Sequence, residues 1–463
     1  MATTVSVKPA KADNSSHAVE TTSYSDYVNP QWVALLDLLD MNVRYERCEG
    51  AELFTADGRR ILDFLSGYCV HNTGHNHPHI VQALKDELDQ RGPVMLQSHV
   101  PELAGELAKR LCGLAGGGLN KVFFCSSGSE GVEAAIKFAR KTTGRDGLLC
   151  AKSAFHGLTA GALSLMSDAF WREGFGPLLQ DAAAVPFGDL EPLEKALRSK
   201  RYAAFVVEPL QSEAGINVAP QGYLKGAEAL CRKTGTLLVL DEVQTGMFRT
   251  GPFLAGHHYD VKPDMVVLAK ALSGGLAPVG ATLMTDAVYE GVYSSLRRAI
   301  VHTSTFSENS LSMRAGLATL DVLEKEALGA RGAELGEELR QRLREELSPF
   351  EMVKEVRGLG MLSGIEFAPA SKLTLKVAFE VFMKIHPAMF GQIVVMRMFR
   401  DKGILTQICG NNFMVLKVAP SLVVSREQLE EFVAAIRDVV ELMHTSTSFW
   451  TEAVTLAKRA ARI

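Results

Sequence analysis

The chain has 463 residues, of which 47% are hydrophobic and 22% are charged, proportions typical of a soluble globular protein with room for two domains. A net charge of −4 and the lack of a long Lys/Arg run exclude an electrostatic nucleic-acid binder. A stretch of about 18 uncharged apolar residues, the minimum for a membrane span, does not occur.

Seven cysteines scattered through apolar segments indicate reduced thiols, and we therefore expect a cytoplasmic protein. The N-terminus is polar and Ser/Thr-rich and lacks the apolar core of a signal peptide. This composition predicts a disordered leader over residues 1–28.

After the leader, the pattern predicts a helix over residues 29–41 and two strands around an Asp57-Gly58 turn. Four histidines between His71 and His79 could suggest a metal site. No cysteine or carboxylate is spaced to complete such a site, and Pro78 suits a helix start. We therefore expect these histidines to be structural and predict no metal.

From about residue 94 to residue 323, helices and strands alternate, which is typical of a mostly parallel sheet wrapped by helices. The candidate strands are residues 121–125, 148–151, 203–207, 237–240, 265–268 and 279–284. Residues 331–347 have a charged helical period that predicts a solvated face. The remaining C-terminal part mixes strands and helices, as expected for a smaller domain.

Asp241 and Lys270 each follow a short apolar run that predicts a buried strand. Burying a carboxylate or an ammonium is costly unless a partner compensates, so we expect both groups to meet one ligand. Pyridoxal phosphate needs this pair, because a lysine forms a Schiff base with its aldehyde and an aspartate keeps its ring nitrogen protonated. Taken alone, Asp241-Glu242 could also be a metal site or a solvated strand end.

The block from Asp241 to Gly251, with Lys270 at its spacing, resembles the signature of class III aminotransferases, the group of ornithine, acetylornithine, 4-aminobutyrate and putrescine enzymes. The resemblance implies an α/β protein of the pyridoxal-phosphate-dependent transferase fold type I. In that fold a large domain carries a mostly parallel seven-stranded sheet, and a smaller α+β domain combines N- and C-terminal segments. The large cofactor-binding domain would cover residues 94–325, and the small domain residues 29–93 and 326–463.

The resemblance also implies roles for individual residues. Lys270 would hold the cofactor and move the substrate proton, while Asp241 pairs with the ring nitrogen. In the turn before a predicted helix, Gly128 would let the backbone approach the phosphate and Ser129 would add a hydroxyl. Phe155, in an aromatic-His-Gly motif, would stack on the ring.

Further contacts follow from the same motifs. His156 would lie beside the cofactor, Val243 would pack against the other ring face, and Gln244 would reach the phenolic oxygen. Thr305 matches the threonine that binds phosphate across a dimer interface in this family. The last role implies a homodimer with shared active sites, and a tetramer built from such dimers is left open.

The similarity within the family is to the putrescine type, which transfers the terminal amino group of a diamine. The shared segments are residues 97–99, 123–125, 154–157, 161–164, 185–188 and 302–306. We therefore expect ping-pong transfer from a primary amine, such as putrescine or cadaverine, to a 2-oxo acid.

Two departures from the family pattern bear on the substrate. Lys417 occupies the place of the arginine that grips a substrate carboxylate, and an ammonium is a point charge rather than a bidentate fork. We hypothesise that Lys417 pairs with Glu213, the match of the family's glutamate, and that Tyr68 also contacts substrate. Glu308, in a loop where the family has glycine, could favour a second ammonium or could reflect an ordinary loop change.

Other interpretations remain open at this stage. The apolar, Met-rich residues 373–383 and 394–399 could be core or dimer packing, or an adaptable wall for a hydrophobic alkyl amine in natural-product metabolism. An ornithine- or acetylornithine-type donor is a further alternative. An aminomutase, decarboxylase or racemase would use the same lysine and aspartate, and a silent binding protein would retain the motifs without turnover.

Overall fold

The computed structural model describes residues 22–96, 98–386, 389–410 and 413–460. The first 21 residues of the predicted leader lie outside this range, as does Gln97 of the putrescine-type motif. Within the leader, Thr22–Tyr27 forms a short helix, so the expectation of disorder does not describe that part.

The strands, in chain order, are β1 (Tyr45–Glu49), β2 (Glu52–Thr55), β3 (Arg60–Asp63), β4 (Leu119–Cys125), β5 (Gly147–Ala151), β6 (Ala182–Val185), β7 (Tyr202–Val207), β8 (Leu210–Gln211), β9 (Asn217–Val218), β10 (Leu237–Asp241), β11 (Met265–Leu268), β12 (Gly280–Thr285), β13 (Val353–Leu359), β14 (Leu362–Phe367), β15 (Ile404–Leu405), β16 (Gln407–Cys409) and β17 (Val415–Val418).

The α-helices are α1 (Thr22–Tyr27), α2 (Pro30–Leu38), α3 (Ser66–Cys69), α4 (Pro78–Asp89), α5 (Glu102–Ala115), α6 (Gly128–Thr143), α7 (Ala160–Ser164), α8 (Ala169–Arg172), α9 (Leu190–Leu197), α10 (Tyr223–Thr234), α11 (Asp286–Val292), α12 (Ser310–Lys325), α13 (Leu328–Leu347), α14 (Leu373–Ile385), α15 (Phe390–Lys402), α16 (Arg426–Thr445) and α17 (Thr447–Ala460). Short 3-10 helices cover Ala255–Tyr259, Lys270–Ser273 and Leu296–Arg298.

The central sheet has seven strands in the order β4-β12-β11-β10-β7-β5-β6, and only β12 runs antiparallel to its neighbours. This confirms the predicted mostly parallel sheet and its six candidate strands. The seventh strand, β6, was not among those candidates. Its sequence, Ala-Ala-Ala-Val, has little of the β-branched and aromatic content that marks strands, and it pairs only with β5 at the sheet edge.

Two smaller sheets combine distant parts of the chain. In the first, β15 runs parallel to β3 and so joins the C-terminal segment to the N-terminal hairpin of β2 and β3. The second has the order β13-β14-β17-β16. The small α+β unit built from both ends of the chain is therefore confirmed, while the residue limits of the domains stay predictions.

Local signals explain how several elements begin. The Asn29 side chain accepts a hydrogen bond from the N–H of Trp32 and caps α2, and Pro30 occupies the first turn. Pro78 begins α4 in the same way, as predicted. Helix α13 does not present only a solvated face, because leucines at its 335, 339, 343 and 347 positions are buried.

The Met-rich segment forms α14 and α15. Phe379 and Phe382 of α14 pack edge-on against Phe390, with ring centroids 5.2 and 6.3 Å apart, and Phe390 in turn lies 6.3 Å from Trp450 of α17. These contacts make the segment part of the small-domain core. Over the described ranges, no helix combines the length and apolarity required to cross a membrane.

Candidate active site

The carboxyl ends of β4, β5, β7, β10 and β11 converge on a cavity of about 440 Å³. Ligands of open α/β sheets bind at this edge. Eight residues predicted to contact the cofactor line the cavity, namely Gly128, Ser129, Phe155, His156, Asp241, Val243, Gln244 and Lys270. The folded chain therefore brings together side chains that are widely separated in sequence.

Asp241 is the last residue of β10 and is only 5% exposed. Its Oδ1 accepts a hydrogen bond from the N–H of Val243 at 3.0 Å, and its Oδ2 lies 2.7 Å from Nδ1 of His156. Burial alone would lower the pKa of His156, but its hydrogen bond to the Asp241 carboxylate raises that pKa above the usual value. The other ring nitrogen, Nε2, is buried and has no hydrogen-bond partner among the described residues.

Lys270 lies two residues beyond the end of β11 and opens a 3-10 helix with a φ of 46°. This left-handed conformation is unfavourable for a residue with a side chain and is common at functional sites. Burial lowers the pKa of the Lys270 amine, and the Lys417 ammonium lowers it further, although Asp241 opposes the shift. A lowered pKa leaves more of the amine unprotonated, as a nucleophile requires.

Helix α6 begins at this cavity. The Ser127 hydroxyl accepts a hydrogen bond from the N–H of Glu130 at 3.3 Å, and the Glu130 carboxylate accepts one from the N–H of Ser126 at 2.6 Å. The backbone amides of Gly128 and Ser129, in the first turn, have no partner within the helix. They and the helix dipole favour an anion at this position.

The aromatic-His-Gly motif packs directly against that turn. Gly157 has a φ of 121°, and a Cβ added there would lie 2.2 Å from the Ser129 hydroxyl oxygen. Only glycine allows this approach and this conformation. The motif therefore holds Phe155 beside the cavity, where its ring also contacts Trp171 edge-on at 5.3 Å between centroids.

Glu208 lines the same cavity and was not identified from the sequence. It directly follows β7 and is 5% exposed. Burial raises its pKa to about 7; the nearby His156 opposes this increase and Asp241 adds to it. A signal was available, because Glu208 ends an apolar strand just as Asp241 and Lys270 do.

A second group of polar side chains lies next to the cavity. Lys417 exposes none of its side chain, and its Nζ donates to Oε1 of Glu213 at 2.5 Å and to Oε1 of Gln244 at 2.7 Å. The Gln244 amide nitrogen donates to the same Glu213 oxygen at 2.9 Å. The hypothesised Glu213–Lys417 pair is therefore confirmed, and Gln244 closes it into a ring of three residues.

The charges in this ring stabilise one another. Burial would raise the pKa of Glu213, but the Lys417 ammonium holds it below the usual value. Burial would likewise lower the pKa of Lys417, and Glu213 raises it instead. Tyr68 covers the ammonium, with its ring centroid 5.6 Å away, and its hydroxyl accepts a hydrogen bond from Gln407 at 2.9 Å.

Thr305 does not line the cavity that contains Lys270. It lies on an exposed loop beside a second cavity of about 890 Å³, which Glu308 and His99 also line. Within one chain, Thr305 therefore cannot be assigned to the cofactor contacts described above. Its predicted role across a dimer interface stays a prediction.

The geometry also bears on the Met-rich helices and on the histidines between His71 and His79. No described residue of α14 or α15 lines the Lys270 cavity of its own chain, and the contacts of these helices favour core packing. The apolar wall for a hydrophobic amine stays a prediction. Among the histidines, His75 is 2.7 Å from Asp63 and packs against His71 with the rings tilted by 31°, and His77 caps α4. The part of the chain that the structure describes holds no group of three or more potential metal ligands.

The cavity residues fit pyridoxal phosphate. A carboxylate and an amine with a lowered pKa face one space, a helix N-terminus is available for a phosphate, and the buried Nε2 of His156 has no protein partner. Because Gly157 has no Cβ, its backbone can lie against Ser129 at the start of α6. Asp241, Lys270, Ser129 and the first turn of α6 would hold the cofactor.

Comparisons with known proteins agree with this site. A family model described as aminotransferase class-III matches residues 37–440. A putrescine aminotransferase from Pectobacterium atrosepticum is 35% identical, with 91% of this chain and 88% of that protein covered. Aminotransferase PigE from a Serratia species is also 35% identical over 91% of this chain, which spans only 53% of PigE, about half its length.

A solved structure gives the same result for the fold. An ornithine aminotransferase from Toxoplasma gondii superposes with a TM-score of 0.77 at 26% identity, covering 96% of this chain and 100% of that one. That structure has partial occupancy of pyridoxal phosphate at its active site.

Proposed function

Because the chain belongs to the class-III aminotransferase family, we propose that it transfers the terminal amino group of a primary amine, in particular a diamine, to a 2-oxo acid. The family membership establishes a pyridoxal-phosphate-dependent transaminase. The choice of donor and acceptor is the proposal.

When bound, pyridoxal phosphate supplies the aldehyde that receives the amino group and a ring that accepts electrons from the donor carbon. Lys270 Nζ, with its lowered pKa, moves the proton at that carbon. Asp241 supplies negative charge for a protonated ring nitrogen, and His156 orients Asp241 through the 2.7 Å hydrogen bond. The same groups act in both half-reactions, and the first product leaves before the 2-oxo acid binds, which is a ping-pong mechanism.

The proposal of a diamine donor depends on one observation, the closed hydrogen-bonded ring of Lys417, Glu213 and Gln244. Two of the three donors on the Lys417 ammonium are used within the ring, and Tyr68 covers the cation. Only the third N–H of the Lys417 ammonium remains for a substrate carboxylate, and a single donor offers no bidentate fork. A donor without a carboxylate needs no such fork.

Glu213 supports the diamine in particular. Its Oε1 accepts from both Lys417 and Gln244, whereas its Oε2 has no hydrogen-bond partner among the described residues. The Glu213 side chain is 22% exposed, whereas the Lys417 side chain is fully buried. A second ammonium on the donor would find a fixed carboxylate there, and such charge-assisted hydrogen bonds are among the stronger ones.

We further propose a homodimer with shared active sites, because Thr305 lies away from the site of its own chain. A purified protein that is active as a monomer would contradict this. We also place the enzyme in the cytoplasm, where its seven free cysteines would stay reduced. Recovery of the native protein from an oxidising compartment would contradict that location.

A panel of donors tests the substrate. Putrescine and cadaverine are compared with butylamine and pentylamine, which match them in length but lack the second ammonium, and with ornithine and 4-aminobutyrate. We expect kcat/KM for each diamine to exceed that of its matched monoamine by about tenfold or more, the value of one charge-assisted hydrogen bond. Glu213→Gln should remove most of this difference.

Other outcomes would redirect the proposal. Monoamines that equal diamines, with activity rising with alkyl length, would favour a hydrophobic-amine transaminase. Ornithine as the best donor would favour the ornithine type. Stoichiometric conversion of the cofactor to its amine form by donor alone separates a transaminase from a racemase, a decarboxylase or a silent binder.

A further inference from the structure

Two loops contribute residues to the site, one on the cofactor side and one on the proposed substrate side. The Phe155 loop (residues 152–157) follows β5 and lies on the cofactor side of the cavity. The Glu213 loop (residues 211–215) begins at the last residue of β8, the strand after β7, and carries the carboxylate of the Lys417 ring. Strand β7 lies between β5 and β10 in the sheet, so a side chain at its end can reach both loops.

Glu208 makes that connection with its two carboxylate oxygens. Oε1 accepts a hydrogen bond from the N–H of Phe155 at 3.1 Å, and Oε2 accepts one from the N–H of Ser212 at 3.2 Å. Because Glu208 is buried, water does not compete for these contacts. If a hydrogen-bond donor took the place of either carboxylate oxygen, the N–H of Phe155 or of Ser212 would be left without an acceptor.

A parallel contact joins the same two loops. The side-chain amide of Gln211, at the start of the Glu213 loop, donates to the backbone oxygen of Lys152 at 2.8 Å. Gln211 is also buried. The two loops are therefore connected twice, once through a carboxylate and once through a neutral amide.

We propose that Glu208 is a positioning residue that holds the Phe155 loop and the Glu213 loop in one fixed arrangement, so that the cofactor side and the substrate side of the site are set together. Glutamate suits this position because it alone offers two acceptor oxygens at this length. Glutamine would keep the size but place an NH2 group against one of the two N–H donors.

Glu242 provides a matched control. It is also a buried glutamate at a strand end, 1% exposed, with a pKa that burial raises to about 7. Its carboxylate binds the Thr245 hydroxyl and the N–H groups of Ala255 and Gly256, and it contacts neither loop. Glu242→Gln therefore reproduces the loss of a buried carboxylate without the loss of the connection.

The experiment compares Glu208→Gln with Glu242→Gln in the full-length holoenzyme. Amide hydrogen exchange is measured for both loops, together with the dissociation constant of pyridoxal phosphate and KM and kcat for the best donor of the panel. Glu208→Gln should speed amide exchange in both loops by about tenfold. It should also raise the dissociation constant of pyridoxal phosphate and the KM of the donor by about tenfold each. Glu242→Gln should lower the thermal midpoint while leaving exchange in the two loops and both constants within about twofold of the wild type.

Exchange that rises in only one loop, or equally in both variants, would overturn the proposal. The donor KM rests on the proposed function of Glu213. Loosening of both loops with an unchanged KM would therefore count against that function and not against the connection. If Glu208→Gln fails to fold, Glu208→Asp keeps the charge but is one methylene too short to reach both N–H groups, and it should also speed exchange in the loops; exchange at the wild-type rate in that variant would contradict the proposal.

Discussion

Two buried polar clusters lie side by side in this site and differ in how completely their atoms are paired. The Asp241 cluster (Asp241, His156 and Glu208) holds two acids and one base, and His156 Nε2 has no partner within the described residues. The Lys417 cluster (Lys417, Glu213 and Gln244) holds one cation, one anion and one amide, joined in a closed ring.

The difference indicates what each cluster is for. A buried cluster with an excess of acid and an orphaned ring nitrogen is unfavourable by itself and gains from a cationic partner, such as a protonated pyridine. A closed ring gains nothing further from a ligand except at the free Oε2 of Glu213. The Asp241 cluster is thus arranged to bind, and the Lys417 cluster is arranged to hold its own geometry.

Replacing Asp241 with Asn tests the incomplete cluster. The amide cannot compensate a protonated ring nitrogen, so kcat/KM should fall by on the order of 10³-fold, as when preorganised charge is removed from other active sites. The protein should remain folded, because the change removes one of two neighbouring acids. Steady-state kinetics and circular dichroism measure both effects, and Glu242→Gln is the size-matched control at the adjacent position. A variant within tenfold of wild-type activity would show that Asp241 does not serve the ring.

Replacing Lys417 with Ala breaks the complete cluster. Glu213, whose side chain is 22% exposed, then lies beside Gln244 without a cation. The free energy of unfolding should fall by about 3 kcal/mol, the lower range for losing one partner of a buried ion pair. The double variant Lys417→Ala with Glu213→Gln removes the unpaired charge and should regain part of this loss. Denaturant unfolding of the three proteins gives the values.

The kinetics of Lys417→Ala address the acceptor as well. If Lys417 contributes to binding the 2-oxo acid, its KM should rise in this variant while the diamine KM changes less. An oxo-acid KM that is untouched would remove Lys417 from substrate binding and leave it only the structural role. Stability that is equal in the single and double variants would contradict the closed ring.

The sequence allowed much of this site to be predicted, and the failures have physical causes. Asp241 and Lys270 were found because a charge at the end of an apolar strand is costly without a ligand, and the same rule applies to Glu208. The Glu213–Lys417 pair followed from family positions. The place of Gln244 in the ring did not, because it depends on strands β10 and β17 meeting in space. Thr305 depends on a second chain, which one sequence cannot position.

The two clusters should contribute differently to the pH dependence of stability. The raised pKa of Glu208, about 7, exceeds the value of about 4.3 for an unfolded glutamate, so the folded state keeps a proton that the unfolded state loses between these values. Stability should therefore fall as pH rises from about 4.5 to 6.5. Glu242 shifts in the same direction. The lowered pKa of Glu213 and the raised pKa of Lys417 favour the folded state throughout this window, because their contributions are lost only below and above it.

Denaturant unfolding of the cofactor-free protein at these two pH values measures the effect. Glu208→Gln should remove up to about 3 kcal/mol of the pH-dependent loss, the size of its pKa shift. The contributions of groups that both proteins share, such as His71 and Glu242, cancel when the unfolding free energies of wild type and variant are subtracted. Glu213→Gln is the matched control from the complete cluster and should leave the slope unchanged. If the unfolding free energies of wild type and Glu208→Gln change equally with pH, the pKa of Glu208 is not raised in the folded state. The contrast between the two clusters would then depend only on the unpaired Nε2 of His156.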